Sequence, residues 1–150
     1  SSAASDVYKR QIFMSVDGEE AGLTGSTYYT NHSLVPQNKV VAILNLEQVG
    51  VGEMLGANYH YKYPELAELS EKANDRYVHR RLFTSETHFL TRPRTDGAVF
   101  MKAGYPCIDL WALGGGYYHH PKDNTQSINP DILRAATEWL YWTTIFIADK

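Results

Sequence analysis

Apolar residues gather in four short runs separated by polar stretches that carry glycine and proline, and a longer C-terminal segment repeats them at helical spacing. The run 12–16 (IFMSV) stops at Asp17-Gly18 and predicts a buried strand ending in a turn. Residues 24–32 fit a short helix, separated by Pro36 from the next apolar run. Residues 39–46 (KVVAILNL) are dense in β-branched side chains and predict a second buried strand. Joined through a helix, these two strands predict a parallel pair in an α/β sheet. Residues 54–59 fit another strand.

Pro64 opens a helix, a position where its missing N–H costs nothing, and Leu66, Leu69, Ala73 and Tyr77 then recur at helical spacing. Residues 80–94 are polar and irregular and read as mostly loop. Residues 96–103 fit a short helix stopped by Gly104, and 106–112 (PCIDLWA) fit a strand. Residues 114–127 form a long loop containing GGGYYHHPKDN. Asn129-Pro130 starts the last helix, with Ile132, Ala135, Ala136, Trp139, Leu140, Thr143, Phe146 and Ile147 as its inward stripe. The order β-α-β-β-α-α-β-loop-α predicts an α/β protein: a mixed, largely parallel sheet flanked by helices in three layers, with loops at the strand ends open to function. No internal repeat or domain linker is present.

Composition narrows the classes. With 43% hydrophobic and 21% charged residues, the 150-residue chain is ordinary for a soluble domain or a piece of one. A net charge of −3 without a basic stripe argues against nucleic acid as a partner. No apolar run approaches the roughly 18–20 residues that span a bilayer. The single Cys107 excludes an internal disulfide framework. Residues 1–11 (SSAASDVYKRQ) stand apart, small and polar, then charged, and resemble translated sequencing-adapter sequence. They are set aside as a non-native extension, leaving 12–150 as the part that folds.

Four polar features sit after apolar runs. Asp17-Gly18-Glu19-Glu20 places two adjacent carboxylates in a loop, where one can bind a metal while the other faces a water; a lone pair of this kind is most often a solvated acidic turn. Asn45-Leu46-Glu47-Gln48 ends the second strand with a carboxylate at its rim. Tyr118-His119-His120-Pro121-Lys122-Asp123 offers imidazoles, the commonest metal ligands, although adjacent histidines more often sit on a surface. Asp123 is placed to orient one of the rings. Thr95-Asp96-Gly97 opens a helix, where Asp is a natural N-cap.

Their order and spacing (VDGEEAGLTGSTYY, VAILNLEQVG, RTDGAVFMKAGYPCIDL, YYHHPKDNTQSI) resemble family twenty-eight of the metallopeptidases, from residue 12 to the C-terminus. That family holds zinc aminopeptidases, glutamate carboxypeptidases and, as close relatives, glutaminyl cyclases. The resemblance implies the C-terminal part of a zinc-exopeptidase catalytic domain that hydrolyses N-terminal peptide bonds through a metal-bound water, with two zinc ions in the complete domain. It implies Glu19 as general base, Glu20, Glu47 and His119 as zinc ligands, and a structural or substrate-orienting role for Asp96. Tyr117 or Tyr118 is a candidate hydrogen-bond donor to the reaction's oxyanion, although tyrosines in such loops more often pack. His120 holds a position usually given to a small hydroxyl residue. A peptide is the implied substrate, and many relatives are exported.

Two departures accompany the resemblance. Glu47 stands where Asp is more usual, one methylene longer. The family's His-x-Asp segment, which supplies a histidine ligand and the bridging carboxylate, has no counterpart before Glu19. The expectation is that this chain alone lacks a finished site and is inactive. Two alternatives stay open: a single-zinc glutaminyl-peptide cyclotransferase, and a non-catalytic ectodomain of peptidase fold.

Overall fold

The computed structural model describes residues 10–87 and 93–149, so most of the segment 1–11, and the stretch 88–92 of the expected loop, lie outside the described residues. The elements are α1 (Thr24–Asn31), β1 (Ile43–Glu47), β2 (Met54–His60), α2 (Pro64–Ala73), β3 (Leu82–Thr87), α3 (Asp96–Lys102), β4 (Cys107–Leu113) and α4 (Pro130–Ala148). Among the described residues, four strands form one sheet in the order β1-β4-β2-β3. β1 runs parallel to β4 and β2 parallel to β3, while β2 and β4 are antiparallel. The sheet is therefore mixed and largely parallel, as the pattern of runs predicts.

Helices cover both faces. Along β4, Ile108, Leu110 and Ala112 join Leu55 and Ala57 of β2 in a core closed by α2 and α4. Alternate residues point the other way, as the period of two demands. There Cys107 packs with Phe100, Met101 and Tyr105 at the end of α3, and Tyr29 brings α1 against this second core. β4 is buried on both faces, which explains its near-continuous apolar run.

Helix α4 begins as its sequence predicts. Asn129 caps it, its Oδ1 accepting from the N–H groups of Asp131 and Ile132, and Pro130 fills the first turn. Ile132, Ala135, Ala136, Trp139, Thr143 and Ile147 are buried, while Leu140 and Phe146 are partly so. Trp139 is fully buried and donates from Nε1 to the Ser70 carbonyl of α2 at 2.7 Å, so the indole buries its ring without orphaning its N–H.

Three expectations need correction. Residues 12–16 form no strand, and the predicted parallel pairing with 39–46 is absent. Ile12, Phe13 and Met14 are exposed, Phe13 at 97%. An apolar run becomes a strand only where a neighbour offers its ladder, and no described strand pairs with this one. The second run pairs only over its last part, Ile43–Glu47. Conversely, Leu82–Thr87 lies inside the expected loop and is a parallel edge strand against β2. As an edge it needs few apolar residues: Leu82 packs on the core, Phe83 is exposed, and Thr84 donates to Glu71. The third concerns the cap of α3, which is Thr95 and not Asp96. Thr95 has extended backbone angles and its Oγ1 accepts from the Ala98 N–H, whereas Asp96 already belongs to the helix. No helix among the described residues is long and apolar enough to cross a membrane.

Two substitutions test this packing. Trp139→Ala removes the largest fully buried side chain among the described residues and is expected to cost about 3–5 kcal/mol. Gly56→Ala places a Cβ 2.7 Å from Cε2 of Trp111, its cross-strand neighbour, and is expected to cost about 1–3 kcal/mol by overpacking. Urea midpoints check both, and an unchanged midpoint in either variant contradicts the packing described.

Candidate metal centre

Because β1 and β4 are parallel, their C-terminal ends emerge on the same side of the sheet. Glu47 is the last residue of β1. The chain leaving β4 passes through Gly114, Gly115 and Gly116, all at positive φ near 90°, a conformation that L side chains resist. These glycines let the loop turn back across the strand ends before Asn129 fastens it, its N–H donating to the Gly50 carbonyl and its side-chain amide to that of Gly52. The turn carries Tyr118 and His119 over Glu47's side of the sheet.

The double-glutamate segment arrives from another direction. The Gly18 and Asp17 carbonyls accept from the first N–H groups of α1, those of Thr24 and Gly25, and Gly25 approaches the Asp17 backbone so closely that a Cβ there would lie 2.4 Å from its carbonyl oxygen. This folds 17–20 against the start of α1. Glu20 then meets His119 across 99 residues of sequence, Oε1 to Nε2 at 2.6 Å. His119 also stacks on Tyr118, with ring centroids 3.7 Å apart.

A cleft of about 330 Å³ collects Glu19, Glu20, Glu47, Arg94, Tyr118 and His119, with Thr95 and Asp123 at its wall. The expected ligands and base thus share one cleft. His120 is turned elsewhere: its Nδ1 accepts from the Lys122 N–H and its ring lies beside Tyr117. The Asp123 carboxylate accepts from Ser127 Oγ, and neither imidazole is its partner in the described hydrogen bonds. Asp96 is buried, and its Oδ1 has no hydrogen-bond partner among the described residues.

Carboxylates crowd this cleft. Partial burial, then the charges of Asp109, Glu19 and Asp96, push Glu47 up to about 7, against a smaller opposing effect of its hydrogen bond from Asn45. Glu19 is raised by burial and by Glu20 and Asp96, with His119 pulling the other way. Asp109 is also raised, chiefly by burial, although Asn45 and Thr95 hydrogen-bond to it. Two residues escaped the sequence reading. Arg94 gave no signal beyond its place beside Thr95-Asp96. Asp109 did give one, as a lone charge inside the apolar run PCIDLWA.

The donors fit a zinc ion in kind: carboxylate oxygens and an imidazole nitrogen are its usual partners, and a cation would relieve the carboxylate crowding. They do not form a finished cage. No three His, Cys, Asp or Glu side chains among the described residues group closely enough to hold a metal ion.

The crowding makes stability depend on pH. Glu47 titrates near 4.5 when unfolded and about 7 when folded, so between those values the folded state holds a proton that the unfolded state has released. Its contribution is neutral below pH 4.5, becomes a growing penalty as pH rises, and is complete above 7. Allowing for solvent screening of a half-exposed group, Glu47→Gln is expected to stabilise the metal-free protein at pH 8 by about 1–2 kcal/mol. It should have little effect at pH 4.5. Urea titrations in chelator check this, and an equal effect at both pH values contradicts it.

Known proteins share this fold. The fold is similar to BSAP, a zinc aminopeptidase from Bacillus subtilis, with a TM-score of 0.74 at 21% identity, covering 88% of this chain and 34% of that one. It is also similar to the glutaminyl cyclase of Porphyromonas gingivalis, with a TM-score of 0.61 at 19% identity, covering 89% and 50%. In sequence the chain is 28% identical over 117 residues to a probable leucine aminopeptidase of Arthroderma benhamiae, covering 75% of this chain and 32% of the relative. The chain thus spans about a third of the curated relative's length. The profile of Peptidase family M28 matches residues 3–143, nearly the whole sequence, and the chain belongs to that family.

Proposed function

We propose that this chain supplies part of the active centre of a zinc-dependent exopeptidase of the aminopeptidase type. The observation that carries the reading is the contact between Glu20 and His119, in the cleft that also holds Glu19 and Glu47. Glu20, Glu47 and His119 would hold zinc, divided between two ions in the complete protein. Zinc there would polarise the scissile carbonyl and acidify the attacking water.

Glu19 is the general base of this reading. Its raised pKa suits a carboxylate that accepts a proton from the water and returns it to the leaving amine. Tyr118, exposed at the mouth of the cleft, is placed to donate its hydroxyl toward the developing oxyanion. Asp96 keeps a structural or substrate-orienting role in this reading, while Asp123 lines the cleft and accepts from Ser127. Three donors are too few for two catalytic ions, each of which usually takes three protein ligands. The 150-residue chain alone should therefore bind zinc weakly and turn over no substrate. A peptide is the substrate class, and we carry over export from the family resemblance as the location.

The test uses the intact protein with an aminoacyl reporter substrate. Chelation should abolish hydrolysis. Glu19→Gln should lower kcat by about 10²–10⁴-fold with zinc retained. His119→Ala should abolish zinc-dependent activity, and His120→Ala should spare most of it. The reverse pattern at the two histidines would overturn the ligand assignment. Pyroglutamate formation from a glutaminyl peptide, without hydrolysis of the reporter, would move the reading to a cyclotransferase.

A further inference from the structure

Asp109 is a charged residue in the middle of a strand buried on both faces, and it is only 3% exposed. Burying a carboxylate is costly unless its oxygens find donors, and both do. Asn45 Nδ2 donates to Oδ1 at 2.8 Å from β1, and Thr95 Oγ1 donates to Oδ2 at 2.6 Å from the cap of α3. Gly97 closes over the group; a Cβ there would lie 2.7 Å from its Cγ. The carboxylate is therefore fixed by three residues from two elements, β1 and α3 with its cap.

What Asp109 fixes in turn is Asn45. The same amide nitrogen donates to Glu47 Oε2, more loosely at 3.4 Å. Both acceptors are carboxylates, so the amide must turn its nitrogen to both, and its two hydrogens serve the two acids. Asn45 and Glu47 lie on one face of β1, two residues apart, and Asp109 stands opposite Asn45 in the parallel register.

We propose that Asp109 is a positioning residue for Glu47: by setting the orientation of the Asn45 amide, it holds the Glu47 carboxylate at the rim of the cleft. The inference rests on the reading of Glu47 as a zinc ligand, and it names a residue outside the ligand set that governs it. Outer partners of this kind typically alter metal affinity about 10–100-fold.

The substitutions separate positioning from plain structural support. In Asp109→Asn, the new amide offers its oxygen to Thr95 and its nitrogen to Asn45. Asn45 must then rotate to present its own oxygen, and Glu47 loses its donor. The double exchange Asn45→Asp with Asp109→Asn restores a donor–acceptor pair between the strands and keeps the net charge, yet leaves no donor facing Glu47. In the intact protein, zinc affinity is read by competition with a chromophoric chelator, and folding by urea midpoint.

Asp109→Asn is expected to weaken zinc binding at least tenfold. The double exchange should regain most of the urea midpoint while zinc binding stays weak. Recovery of zinc affinity in the double exchange, or unaltered affinity in folded Asp109→Asn, overturns the proposal. A second measurement does not depend on zinc: in metal-free protein, the Asn45 side-chain amide signals in NMR spectra should shift in both Asp109→Asn and Glu47→Gln. Signals indifferent to Glu47→Gln also overturn it. If they respond but the wild type takes up no zinc, the metal reading falls while the link from Asp109 to Glu47 stands.

Discussion

Strand β4 is the member on which the rest of the molecule depends. It is buried on both faces and hydrogen-bonded on both edges, to β1 in parallel and to β2 in antiparallel register. The parallel pairing delivers Glu47 and the exit of β4 to the same side of the sheet. The chain must then recross that side to reach α4, whose cap residue Asn129 is bonded to Gly50 and Gly52 in the loop after β1. The loop between these two fixed points carries His119 over the cleft.

The cleft is electrostatically costly in a way the cores are not. Glu19, Glu47 and Asp109 all have raised pKa values, with burial the leading cause in each, and Asp96 adds a buried oxygen without a partner among the described residues. The two cores concentrate the gain from apolar burial around Trp139 and Phe100. That separation is the usual arrangement when stability and chemistry compete: packing provides the stability and the strand ends carry the strained charges.

Some elements were legible in the chain because one local pattern decided them. The stripe of α4, its Asn129-Pro130 start and the α3 stop at Gly104 follow from helical periodicity and capping alone. β4 followed from an apolar run too short for a helix turn pattern. Strand β3 was not legible, since LFTSET carries little apolar signal and is a strand only because β2 presents a free edge. Residues 12–16 fail for the opposite reason: their apolarity is strong, but pairing is a property of a neighbour and not of the run.

The sequence by itself determined the helices, the central strand and the four polar segments whose order matches the family, because each depends on residues close together in the chain. It also identified Glu19, Glu20, Glu47 and His119 as candidates. Only the tertiary structure decided that Glu20 touches His119, that Thr95 and not Asp96 caps α3, and that Asp109 reaches Glu47 through Asn45. Those contacts join residues 64 to 99 positions apart or turn on backbone angles. Strand register and loop return fix such distances, and no local pattern encodes them.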